Sequence, residues 1–90
     1  AKFQTMAIKQ AMSFPKVERV VYSTCSVHER ENEMVVEEVL QSMSEWKLAT
    51  KPLPEWPRRG LSKYKFADNL IRSDRTDHTI GFFVALFIRQ

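Results

Sequence analysis

The run "IGFFVALFI", residues 80–88, is apolar at consecutive positions. A strand with one wet face alternates apolar and polar residues, so this run predicts a central strand covered on both sides. It cannot cross a bilayer, which takes about 20 residues. A chain of 90 residues supports one domain with one modest core. Whatever covers this strand is the first thing the remaining sequence has to account for.

Residues 2–13 read as an amphipathic helix, with Phe3, Met6, Ala7, Gln10, Ala11 and Phe14 on the apolar face. Pro15 prevents its continuation. "VERVVYS", residues 17–23, is β-branched and aromatic and reads as a buried strand. Ser26 and Glu29 match a capping box, which predicts a helix start between Val27 and Arg30. Val35, Val36, Val39, Leu40 and Met43 then form its apolar stripe. "EWKLAT" predicts a short strand with Trp46 and Leu48 on one face. Residues 51–79 hold Pro52, Pro54, Pro57 and Gly60 and no sustained period, so they read as a long loop, with "FADNLIRS" as a helical turn inside it. The fold class is α/β.

Three strands are too few to enclose the closing run. The missing cover is expected from sequence outside these 90 residues, upstream of Ala1, where the chain already reads as helix. The chain carries a single cysteine, so an internal disulfide is excluded, and no signal-peptide pattern opens it. A reducing intracellular compartment is the expectation. No Cys/His pair stands at metal-ligand spacing, and no metal site is expected. With two glycines, the chain has no glycine-rich phosphate loop.

The formal net charge is +3, and residues 51–79 account for it, with seven cations against four anions. Such a segment favours polyanionic partners through attraction and counterion release. A solvated surface loop carries similar charge, so both readings stand at this point.

Cys25, in "VVYSTCSVHERENEMVV", follows a buried strand and precedes a helix. That rim of an open α/β sheet is where ligands bind. The positive end of a helix favours an anion such as a thiolate; His28 and Arg30 would add to this, and Glu29, Glu31 and Glu33 would oppose it. The alternative is a small packed hydrophobe of no chemical interest.

"VVYSTCSVHERENEMVVEEVL" resembles the Thr-Cys motif of the Sun/Fmu family of RNA cytosine-5 methyltransferases, with Ser-Thr-Cys-Ser ending a strand and Glu-Asn-Glu opening a helix. The likeness continues through "WPRRGLSKYKF" to "GFFVALFIR", and "LPEWPRRGL" is most similar to the eukaryotic branch that modifies large-subunit ribosomal RNA. Ile80 departs from the pattern, because many members carry an acidic residue there.

The resemblance implies that the chain is the C-terminal half of a class I, Rossmann-like methyltransferase sheet. In that sheet the 80–88 strand is last, and it lies antiparallel between the 17–23 and 46–50 strands. It implies that Cys25 is the catalytic nucleophile, adding to carbon 6 of the target cytosine so that carbon 5 can accept a methyl group. The cofactor is S-adenosylmethionine, expected to be bound mainly by sequence upstream of Ala1, so the chain by itself is expected to be inactive. The partner is RNA, ribosomal by this likeness, with no membrane, and the location is the nucleus or nucleolus.

Arg58, Arg59, Lys63, Tyr64 and Lys65 become candidate RNA contacts, mixing cations with rings that stack on bases. A competing reading is a non-catalytic RNA-binding or interaction module, a truncated isoform with an inert Cys25. A third is an unrelated small α/β interaction domain with that thiol packed away.

Overall fold

The computed structural model describes residues 2–26, 28–73 and 81–90. The expected helix start at Val27, residues 74–79 of the expected loop, and Ile80 at the head of the closing run lie outside them. In chain order the elements are α1 (Lys2–Met12), β1 (Arg19–Thr24), α2 (Glu33–Ser42), β2 (Trp46–Leu48), β3 (Leu70–Ser73) and β4 (Phe82–Arg89). Two 3-10 turns precede α2 and β3, at Glu29–Glu31 and Ala67–Asn69.

β4 is the middle of the sheet. β1 runs antiparallel along one edge, in register from Arg19 opposite Ile88 to Thr24 opposite Phe83. The other edge is shared end to end. β2 pairs there from Trp46 opposite Arg89 to Leu48 opposite Phe87, and β3 from Leu70 opposite Ala85 to Ser73 opposite Phe82, both antiparallel. The expected position of the last strand between the first two is therefore observed. The sheet has four strands rather than three, because "LIRS" is a strand. A short segment interrupted by Arg72 carries too little strand pattern to reveal this.

One face of the sheet is sealed. Phe83, Ala85 and Phe87 of β4 are fully buried with Leu70, Trp46 and Leu48 against Ile8 and Met12 of α1 and Val35, Val36 and Val39 of α2. Each large apolar side chain buried this way contributes about 1.5–3 kcal/mol. The expected stripe of α2 is the buried one, and Leu40 and Met43 pack at its margin.

The other face is only partly covered. β4 alternates between half-buried and buried positions, and Val21 of β1 is 64% exposed. The cover missing from this face is the part expected from outside these residues; β1, expected to be a buried strand, has no fully buried residue here.

α1 also differs from expectation. Its inward residues are Thr5, Ile8 and Met12, whereas Phe3 (80% exposed), Met6 and Phe14 point to solvent. The helix carries two apolar stripes, and packing against α2 selects the one in which Thr5 Oγ1 reaches Glu38 Oε2 at 3.3 Å. Beyond Met12, Arg89 gathers the chain. Its guanidinium donates to the carbonyls of Met12, Phe14 and Val17 and lies 5.0 Å over the Trp46 ring.

Candidate active site

Cys25 is the first residue after β1, and it is exposed. Within the described residues the thiol is not packed away. The backbone around it is held firmly. Thr24 Oγ1 accepts the Ser26 N–H at 3.2 Å and donates to Asn32 Oδ1 at 2.7 Å. Asn32 Nδ2 in turn donates to the Ser26 carbonyl at 2.8 Å. Asn32 is completely buried.

Ser26 does not cap a helix. Its hydroxyl donates to Glu31 Oε1 at 3.0 Å and accepts the His28 N–H at 3.0 Å. The expected capping box with Glu29 is therefore absent, and a 3-10 turn fills residues 29–31 before α2 begins at Glu33. The expected start at Val27–Arg30 is early because the hydroxyl is engaged within the turn. Behind it, Tyr22 donates its hydroxyl to the Glu31 carbonyl at 2.5 Å. Burial, then the Glu31 charge, push that phenol up to about 12.

The basic segment reaches the same place from the other side. Glu29 takes Lys63 Nζ at 2.6 Å and the Tyr64 hydroxyl at 2.5 Å. These contacts, the lysine first, hold its carboxyl below the usual carboxylate range. Tyr64 is pushed upward, by burial first and then by its bond to Glu29.

Glu33, fully buried, receives Arg72 Nε and Nη2, both at 2.6 Å, and the Leu61 N–H at 3.0 Å. That fork raises the Arg72 guanidinium further above its ordinary value. The start of α2 thus anchors both the Cys25 turn and the 61–72 arm.

Three of the five candidate RNA contacts, Lys63, Tyr64 and Lys65, line one open groove of about 520 Å³ with Phe66 and with Glu37, Leu40 and Gln41 of α2. Tyr64 and Phe66 are tilted against each other at 5.3 Å. Arg58 lies beside β3, its carbonyl accepting the Arg72 N–H at 3.2 Å.

Arg59 is turned into its own loop. It donates to the carbonyls of Pro52, Leu53, Trp56 and Asp68. Lys51 and Leu53 there have φ of 38° and 47°, a left-handed conformation disfavoured for non-glycine residues, and each precedes a proline. The Arg59 bonds help to hold that strain. Trp56 closes the loop, donating Nε1–H to the Arg72 carbonyl at 2.9 Å and packing 6.0 Å from Phe82.

Sequence reasoning missed the roles of Asn32 and Arg72. The Glu-Asn-Glu motif was visible, but its contacts bridge distant residues. Among the described residues, no cluster of three or more metal-ligating side chains occurs and no helix is long and apolar enough to cross a membrane.

The sequence and the fold are similar to those of known proteins. A 25S rRNA (cytosine-C(5))-methyltransferase, NSUN5, from Arabidopsis thaliana is 53% identical over 99% of the chain and 16% of its own length. A 28S rRNA (cytosine-C(5))-methyltransferase from Mus musculus is 46% identical over 99% of the chain and 19% of its own length. The chain therefore spans less than a fifth of either relative. A crystal structure of a methyltransferase homolog protein from Pyrococcus horikoshii superposes with a TM-score of 0.84 at 25% identity, over 99% of this chain and 30% of that one. The sequence profile described as 16S rRNA methyltransferase RsmB/F matches residues 2–88, and the chain belongs to that family.

Proposed function

We propose that this chain is the C-terminal part of the catalytic domain of an RNA cytosine-5 methyltransferase acting on ribosomal RNA, with Cys25 as its nucleophile. The observation that carries the reading is an exposed thiol at the carboxyl end of a sheet strand, inside a segment that matches the family almost end to end. The sheet corresponds to the closing half of a class I methyltransferase sheet, its last strand antiparallel. The Cys25 thiolate adds to carbon 6 of an unstacked cytosine, forming an S–C6 bond and moving an electron pair to carbon 5. After carbon 5 has taken a methyl group, loss of its proton expels the thiolate and restores the ring.

The methyl donor of such enzymes is S-adenosylmethionine. The sequence holds no glycine-rich turn of the kind that cradles such a cofactor, and of its two glycines Gly60 is pressed against Leu70. We assign cofactor binding to sequence outside the chain. Lys63, Tyr64 and Lys65 contact RNA along their groove, Arg58 contacts it from beside β3, and Arg59 acts by shaping the loop. A ribosomal substrate places the protein in the nucleus or nucleolus.

In the intact enzyme carrying this chain, Cys25→Ala abolishes turnover and leaves cofactor affinity nearly unchanged. RNA containing 5-azacytidine is trapped covalently by the wild type alone. Methylation by the Ala variant would overturn the assignment. The competing reading is a truncated non-catalytic RNA-binding or interaction module with an inert Cys25. Under that reading the wild type neither turns over nor traps RNA.

A further inference from the structure

We infer that Asn32 is a positioning residue that sets the direction in which the Cys25 thiol leaves the sheet rim. The inference rests on the reading of Cys25 as nucleophile and adds to it the group that orients the nucleophile.

Asn32 lies seven residues beyond Cys25, at the junction of the 3-10 turn and α2, with φ −116° and ψ −95°. It does not cap α2 with its side chain. Both ends of its amide are instead spent on the two residues that flank the cysteine, Oδ1 on the Thr24 hydroxyl and Nδ2 on the Ser26 carbonyl. The direction of the amide follows from chemistry. A carbonyl can only accept, so Nδ2 must face Ser26. The Thr24 hydroxyl already accepts the Ser26 N–H, and its proton goes to Asn32 Oδ1 at 2.7 Å rather than to the Ser26 carbonyl at 3.4 Å.

The bonds close a ring through Thr24, Ser26 and Asn32 with Cys25 on its outer side. A completely buried amide would lose the compensation for its desolvation if either bond broke. The Cys25–Ser26 peptide is therefore held through the Ser26 N–H, and both neighbours of Cys25 are tied to Asn32, while its side chain is exposed. Attack on a ring carbon needs this, because misplacement by about 1 Å costs on the order of 10²-fold in rate.

Three variants of the intact enzyme test the inference. Asn32→Asp keeps the acceptor and loses the donor to Ser26. Thr24→Val keeps the shape and loses the hydroxyl, and Thr24→Ser keeps the hydroxyl. Asn32→Asp and Thr24→Val are expected to lower kcat by about 10²-fold. KM for RNA should stay within a few-fold, and both variants should trap 5-azacytidine RNA more slowly. Thr24→Ser is expected to retain wild-type kcat.

A structural role alone would lower the melting temperature without this split between kcat and KM. Should Asn32→Asp fail to fold, Thr24→Val decides, and wild-type kcat and trapping in that variant overturn the inference. A parallel Cys25→Ser variant separates the two failures. If it still methylates, the nucleophile assignment has failed. If it is dead while Thr24→Val is fully active, only the role of Asn32 has.

Discussion

The turn around Cys25 and the arm formed by residues 60–72 both attach to the 3-10 turn and the start of α2, but by different chemistry. The turn is tied to Asn32 by uncharged groups. The arm is tied by charge, through Glu33 with Arg72 and Glu29 with Lys63. Neutral buried bonds give an orientation that ionic strength and pH barely alter, whereas ion pairs hold according to conditions and burial. The proposed nucleophile thus sits on the unresponsive attachment and the proposed RNA-facing arm on the responsive one.

The contrast is broken most severely at Glu33. Glu33→Ala leaves Arg72 without its carboxylate in a largely buried site, which costs about 3–5 kcal/mol. Urea unfolding of the intact protein measures this, and a loss below about 1 kcal/mol would show that the pair is not the main anchor of the arm.

A middle-sized effect comes from Gly60. A Cβ there would stand 2.9 Å from Leu70 Cδ1 and 3.2 Å from Leu70 Cβ, where the glycine N–H also bonds the Ala67 carbonyl. Gly60→Ala is expected to destabilise by about 1–3 kcal/mol. Because it strains only the arm, the rate of Cys25 alkylation by iodoacetamide in the folded state should not change.

The smallest effect is at Glu29, whose lowered carboxyl contributes stability above its ordinary value of 4.5 and loses it as pH falls through the depressed folded value. Lys63→Ala should therefore weaken the part of the acid-induced loss of melting temperature that lies below about pH 4.5. Added salt should imitate the substitution in the wild type. Identical acid limbs for both proteins would remove Lys63 from the account.

Elements whose partners are close in sequence, or whose pattern is long, were legible. The stripe of α2, the strand at Trp46–Leu48 and the central closing strand follow from periodicity and apolar run length. The inward face of α1 was not, because Phe3, Met6 and Phe14 compete with Ile8 and Met12 and only tertiary neighbours choose between them. β3 stayed hidden because Arg72 interrupts it and its neutralising partner lies 39 residues away. Cys25 was legible as a candidate from its place after a strand. Its bracket was not, because Asn32 acts across the intervening 3-10 turn.

Arg59 reads oxygen atoms of the main chain and no side chain at Pro52, Leu53, Trp56 or Asp68. Arg59 therefore shares in holding the outline of that loop with Trp56 and Asn69, while its own bonds leave the side chains at the gripped positions free to drift. A lysine in its place would offer one point of charge where a planar fork now spans several carbonyls. A loop gripped by its carbonyls can change its surface chemistry without releasing that guanidinium.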